Sequence, residues 1–295
     1  MNHYRFVGLL LALPSLLMAA PHSIQVHGHR GARARFPENT IPAFKHALEV
    51  GVDALEMDMA VTRDGVIVIS HDPRINPVIC RRKDGAAMPE PAPLIHDLTL
   101  KQVKEYDCGA IRNPKFPDQD PVPGTELPTL AEVFAFVKSS KAPVASHVLF
   151  NIETKINPAR PEETVSPEVF AKKVIDEVRK AGLLKRIILQ SFDPRTLVEA
   201  RKLVKDLQIS LLIEDPKIDM VPAAKMIRAN VVSPDFNLLT AEKVKALHDA
   251  KLSVLPWTVD RSEDWGRLIG WGVDGIITDD PEKLLQYLGE RKLAP

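Results

Sequence analysis

The feature that most restricts this chain is an alternation of short β-branched runs with longer amphipathic stretches. Runs rich in Val, Ile and Leu fall near residues 23–28, 54–61, 66–70, 147–154, 186–190, 209–213, 230–233, 253–258 and 275–278. Stretches with helical spacing separate most of them, the pattern of βα units that build a parallel sheet. The run at 66–70 is different. Only Thr62, Arg63, Asp64 and Gly65 precede it, too few for a parallel crossover but enough for a hairpin with Gly65 in the turn. Setting that run aside as an antiparallel return strand leaves eight parallel strands, so a (β/α)8 TIM barrel is expected.

Helix signals fit between the strands. Asn39 or Thr40 can cap a helix that carries Pro42 in its first turn, buries Phe44, Ala47 and Leu48, and stops at Gly51. Similar runs cover 167–181, 194–205, 241–250 and 262–271. The segment 72–146 breaks the rhythm, being rich in proline and poor in strands, with short helices expected at 99–106 and 130–137. A stretch that long is no simple loop and reads as a small insertion on the rim of the barrel.

At 295 residues and 45% hydrophobic, the chain suits one barrel-sized domain over residues 21–295. Basic and acidic residues balance at 39 each, so no basic surplus indicates nucleic acid. Residues 1–20 read as a signal peptide: Arg5 precedes an apolar run from Phe6 to Leu17, and Ala19 and Ala20 offer alternative cleavage sites. An uncleaved anchor is the other reading of that run, which is short for a spanning helix. Export to the periplasm or medium is expected, with no stable membrane insertion once the leader is removed and a monomer or dimer as the unit. Cys80 and Cys108 permit one disulfide in an exported chain, or two buried free thiols.

The chemistry-bearing residues gather at expected strand ends. The first strand runs into His29-Arg30-Gly31. Glu56 and Asp58 share one face of the second strand by their i, i+2 spacing, while Leu55, Met57 and Met59 alternate with them. If the apolar face packs on helices, the acids point into the barrel or its mouth, where buried carboxylates must be paired or bind metal. Glu153 ends the next barrel strand, with Lys155 two residues on. An all-carboxylate set suits one hard divalent cation, Ca2+ or Mg2+, rather than Zn2+. Those carboxylates, a divalent cation and a phosphodiester leave two negative charges, which Arg30 and Lys155 match. The planar Arg30 fork suits phosphoryl oxygens. His29 and His71, at adjacent strand ends beside the acids, suit general acid-base catalysis with either in either role. Phe192 and Trp257 are candidates for an apolar wall against the substrate, or for core packing.

Taken together, His29-Arg30-Gly31 followed by Pro37-Glu38-Asn39-Thr40, then Leu55-Glu56-Met57-Asp58, Thr62-Arg63-Asp64-Gly65, His71-Asp72, Asn151-Ile152-Glu153-Thr154-Lys155, Ser191-Phe192-Asp193, Trp257-Thr258-Val259 and Thr278-Asp279 resemble the glycerophosphodiester phosphodiesterases, block by block and in order. The resemblance covers nearly everything after the leader. It implies hydrolysis of small glycerophosphodiesters to an alcohol and sn-glycerol 3-phosphate, a divalent metal on Glu56, Asp58 and Glu153, and a histidine pair at His29 and His71. Two positions depart from the family's usual pattern: Asp260 stands where Asn is common, and Pro256 precedes Trp257.

Other classes fit the sequence less well. His27-x-His29 with Asp279 resembles the metal-dependent amidohydrolases, but that class wants histidines at middle strand ends, which here read Gln190-Ser191-Phe192 and Ile213-Glu214-Asp215. A barrel that binds without turnover is disfavoured by the full chemical set. A lysophospholipase D would want an apolar rim, whereas 72–146 shows no clear membrane-type amphipathic helix.

Overall fold

The computed structural model describes residues 24–293. The expected leader at 1–20 lies outside them. The order is β1 (Gln25–Gly28), α1 (Ile41–Val50), β2 (Ala54–Val61), β3 (Ile67–Ile69), β4 (Arg81–Arg82), α2 (Leu100–Val103), β5 (Tyr106–Asp107), α3 (Leu130–Ser139), β6 (Leu149–Thr154), α4 (Pro167–Ala181), β7 (Ile187–Ser191), α5 (Pro194–Leu203), β8 (Gln208–Ile213), α6 (Met220–Met226), β9 (Val231–Pro234), α7 (Ala241–Asp249), β10 (Ser253–Val254), α8 (Ser262–Gly270), β11 (Gly275–Thr278) and α9 (Pro281–Leu293).

Parallel strands run β10-β9-β8-β7-β6-β2-β1-β11, with helices around them. Between β10 and β11 the wall is closed by single backbone bonds, Ile277 to Pro256 at 3.0 Å, Val259 to Ile277 at 3.0 Å and Asp274 to Val254 at 3.0 Å. The result is a (β/α)8 barrel. The strand expected over 253–258 shortens to two residues. Pro256, without an N–H, cannot continue a regular ladder. β3 pairs antiparallel with β2, Met59 opposite Ile69 and Val61 opposite Ile67, as the short Thr62–Gly65 turn requires.

All eight residues of β2 are buried, for two different reasons. Leu55, Met57 and Met59 pack in the main core with α1, α3 and α4, and the intervening acids face inward. In α1, Phe44, Ala47 and Leu48 supply the buried stripe, and Gly51 at φ 93° closes the last turn on the Ala47 carbonyl.

The segment after β3 has a core of its own, in which Ile75, Ile79, Ile95, Val103, Tyr106 and Leu127 cover Ala60 and Val68 on the hairpin. Cys80 and Cys108 are bonded inside this cluster. The helix expected over 99–106 covers only Leu100–Val103, because Tyr106 and Asp107 pair with Arg82 and Arg81. α3 lies within the segment read as an insertion but packs Leu130, Val133, Phe134 and Val137 into the main core, so it serves as a barrel helix. Thr129 and Glu132 form the reciprocal cap that starts it. Two helices, α6 and α9, had no counterpart in the sequence reading; Pro222 sits in the first turn of α6, where its missing N–H is tolerated, and α9 packs Leu284, Leu285, Tyr287 and Leu288 on the core.

Candidate active site

Strand register, more than any loop, assembles the acids. Asp58 on β2 lies directly beside Glu153 on β6, and Glu153 beside Gln190 on β7. Glu56 is one pleat deeper and accepts a 2.8 Å hydrogen bond from Gln190 Nε2. Each of Glu56, Asp58 and Glu153 offers an oxygen within 4.8 Å of the others, and all three are buried. Burial and the neighbouring Asp58 push Glu56 well above the usual carboxylate range. Burial likewise raises Glu153 to about 7, against the opposing pull of Lys155. Asp58 behaves differently: burial raises it, but Arg30, His71 and Lys155 together hold it below its ordinary value. A buried all-oxygen triad in which two members resist ionisation fits a divalent cation, whose charge would relieve that resistance. The residues present therefore fit such an ion.

Around the triad stand the cations. The chain leaves β1 in a tight left-handed turn, Arg30 at φ 49° and Gly31 at φ 86°. A Cβ at Gly31 would come within 2.8 Å of Ala43, so glycine is required there. The turn aims the Arg30 backbone N–H at Glu56 Oε2, 2.8 Å away. It also places the guanidinium between Glu38 at 2.6 Å and Asp58 at 3.3 Å. Lys155 Nζ is 2.9 Å from Glu153 and 3.8 Å from Asp58. Asn39 donates to Asp58 Oδ2 at 2.9 Å.

The histidines flank this centre. His29 Nδ1 lies 2.6 Å from Asp279, while its Nε2 is 3.9 Å from Glu56. Burial, and then the charge of Arg33, lowers its pKa to about 4. His71, at the end of the hairpin, meets Asp72 at 3.0 Å, and Asn76 holds the other Asp72 oxygen at 2.7 Å. Phe192 and Trp257 meet edge to face with centroids 5.5 Å apart. The Trp257 indole N–H donates to the Ser233 carbonyl at 2.8 Å.

All nine residues singled out from the sequence line one cavity of about 580 Å³ at the C-terminal face of the barrel: His29, Arg30, Glu56, Asp58, His71, Glu153, Lys155, Phe192 and Trp257. Sequence reasoning gave no role to the residues that hold them. Glu38 appeared only within a motif block, Asn39 there and as a helix-cap candidate, Asp279 in a motif block and in the amidohydrolase comparison, and Gln190 only as a strand-end letter. Arg33 carried no local signal at all. Their partners are far apart in the chain, so spacing could not reveal them.

Fold and site together define a (β/α)8-barrel hydrolase with an acidic, metal-type triad beside phosphate-complementary cations. The model of the glycerophosphoryl diester phosphodiesterase family matches residues 29–283, and the chain belongs to that family as a phosphoric diester hydrolase. It is 33% identical over 263 residues to a glycerophosphodiester phosphodiesterase of Caldanaerobacter subterraneus subsp. tengcongensis, covering 89% of this chain and 97% of that one. A solved structure from Silicibacter pomeroyi assigned to the glycerophosphoryl diester phosphodiesterases superposes with TM-score 0.84 at 29% identity, over 92% of this chain and 95% of the other. A phosphodiesterase of Oleispira antarctica in complex with the product sn-glycerol-3-phosphate shares the fold, with TM-score 0.71 at 21% identity over 90% and 96% of the two chains.

Proposed function

We propose that this protein hydrolyses small glycerophosphodiesters, such as glycerophosphocholine or glycerophosphoethanolamine, to an alcohol and sn-glycerol 3-phosphate. The observation that carries this reading is the buried triad Glu56, Asp58 and Glu153 set between Arg30 and Lys155 and flanked by two histidines. Glu56, Asp58 and Glu153 would hold one Ca2+ or Mg2+, which supplies Lewis-acid polarisation of the phosphoryl group. Arg30 and Lys155 bind the non-bridging oxygens and stabilise the charge that grows on them. His29 and His71 act as the general acid-base pair, one accepting a proton from the nucleophile and the other returning one to the leaving alcohol. Phe192 and Trp257 form the apolar wall against which the substrate's carbon skeleton lies. The product held by the Oleispira antarctica protein is in keeping with this chemistry.

The small-diester reading is favoured over a lipid substrate by the segment between β3 and α3, which spends its apolar residues on its own core. Among the described residues no helix is long and apolar enough to cross a membrane. We further propose export to the periplasm or medium after loss of the leader at 1–20, a single barrel domain over 21–295, and a monomer or dimer in solution. The test is release of glycerol 3-phosphate from glycerophosphocholine by the mature protein, with chelator, with Ca2+ or Mg2+ restored, and with His29→Ala. Activity lost with chelator and in the variant, and regained with metal, is the expected result. Absence of release under every metal overturns the proposal.

A further inference from the structure

Arg33 lines the same cavity as the triad and the histidines, and nothing above gives it a contact with substrate. It lies in the turn between β1 and α1, with its side chain 18% exposed. Its Nε is committed to Asp279 Oδ1 at 2.5 Å, the oxygen that also holds His29 Nδ1. Imidazole and guanidinium are thereby neighbours on a single atom. No described residue accepts a hydrogen bond from either terminal nitrogen of Arg33, and neither nitrogen is sealed from solvent. Arg30 is placed otherwise. Its Nη1 donates to Glu38 at 2.6 Å, and its buried Nε faces Asp58 at 3.3 Å, so only Nη2 is wholly uncommitted.

The segment between β5 and α3 holds Arg33 in this posture. The Phe116 ring centre lies 5.1 Å from its guanidinium carbon. Gln119, fully buried, donates from Nε2 to the carbonyls of Arg33 and Phe36 at 2.7 and 3.1 Å. The Asp120 N–H adds a bond to the Arg35 carbonyl at 2.8 Å. A guanidinium against an aromatic ring and anchored through Nε keeps its two terminal nitrogens fixed in one plane. That fork matches two oxygens of a phosphoryl group.

We propose that Arg33 is a second substrate-contacting arginine, whose terminal nitrogens donate to phosphoryl oxygens on the His29 side of the site. The sn-glycerol 3-phosphate product carries more negative charge than the diester, so the same contact holds product as well as substrate. The inference rests on the phosphodiesterase reading above and adds a binding residue to it.

The experiment follows choline release from glycerophosphocholine by the metal-loaded wild type, Arg33→Lys and Phe116→Leu, with sn-glycerol 3-phosphate as inhibitor and glycerol as the uncharged control. Lysine keeps a cation for Asp279 but loses the fork. Arg33→Lys is expected to raise KM and the inhibition constant of sn-glycerol 3-phosphate together, each at least about tenfold, while kcat falls less and inhibition by glycerol is unmoved. Phe116→Leu, which leaves Arg33 in place, should raise both constants roughly threefold, and it decides the matter if Arg33→Lys loses the native near-UV spectrum. A folded Arg33→Lys protein in which kcat falls and both constants stay put overturns the proposal, because Arg33 then acts only through Asp279 and His29. Constants unchanged in the deciding variant overturn it as well. Both of these results leave the phosphodiesterase reading in place. No hydrolysis by the wild type overturns that reading, and the role of Arg33 with it.

Discussion

His29 Nδ1 and Asp279 Oδ1 lie 2.6 Å apart although 250 positions separate them in the chain. A carboxylate only accepts, so the imidazole donates from Nδ1 and presents Nε2 to the cavity. Arg33 Nε contacts the same Asp279 oxygen at 2.5 Å, which anchors the pair. Burial raises the Asp279 carboxyl, but His29 and Arg33 more than offset this and hold it ionised. Replacing Asp279 with Asn exchanges an acceptor-only carboxylate for a neutral amide that can also donate, which frees the ring to adopt the other tautomer. A fall in kcat of roughly 100-fold or more is expected, with an unchanged near-UV spectrum. Full turnover in a folded Asp279→Asn protein would remove His29 from the chemistry.

Without a metal, Glu56 and Glu153 are both pushed upward, Glu153 to about 7. Protons therefore compete with a divalent cation for the triad near neutral pH. Calcium or magnesium affinity, measured by calorimetry, is expected to rise between about pH 6 and 8, with proton release on binding. Glu153→Gln keeps the shape but removes one charge, and it should weaken binding by at least about tenfold. An affinity flat in pH would mean that the triad is not the ligand set.

Asp260 is a second acid held against its preference. Burial, and then Asp279, raises it to about 6, while Thr278 Oγ1 and the Asp279 N–H donate to its Oδ1 at 3.0 and 2.8 Å. A raised folded pKa means that the native state holds the proton longer than the unfolded chain. The associated stability is complete below about pH 4 and is lost as pH rises through about 6. Asn accepts the same two hydrogen bonds without charge. Asp260→Asn should therefore stabilise the protein on the order of 3 kcal/mol at pH 8 and about half as much at pH 5, read as the shift in Tm at each pH. Equal shifts at both values would contradict the assignment.

The Cys80–Cys108 bond, with a sequence separation of 28, staples the small core beneath which His71 leaves the hairpin. In the chain-entropy account a loop of this size contributes about 3 to 4 kcal/mol. The paired Cys80→Ser, Cys108→Ser variant should unfold at correspondingly lower denaturant under oxidising conditions, and reductant should move the wild type the same way. A midpoint that stays put in both cases would show that the small core is sufficient alone.

Local rules carried much of this protein. The βα alternation defined the barrel, the four-residue Thr62–Gly65 link defined the hairpin, and period-two alternation on β2 turned Glu56 and Asp58 inward, because each depends only on neighbours within a few residues. The residues of the candidate site were legible for the same reason: they end strands that the pattern itself marks, in an order that resembles one family. The tertiary structure alone decided the register that sets Asp58 beside Glu153, the clasp of Glu38 on Arg30 and of Asp279 on His29, and the passage of α3 from the rim segment into the main core. It also decided that β10 stops after two residues and that Cys80 meets Cys108. Apart from Arg30 and Glu38, eight positions apart, such contacts join positions tens to hundreds of residues apart, and nothing in local spacing encodes them. They follow only when burying the common apolar core brings the strand ends together and compels each polar group there to find its partner.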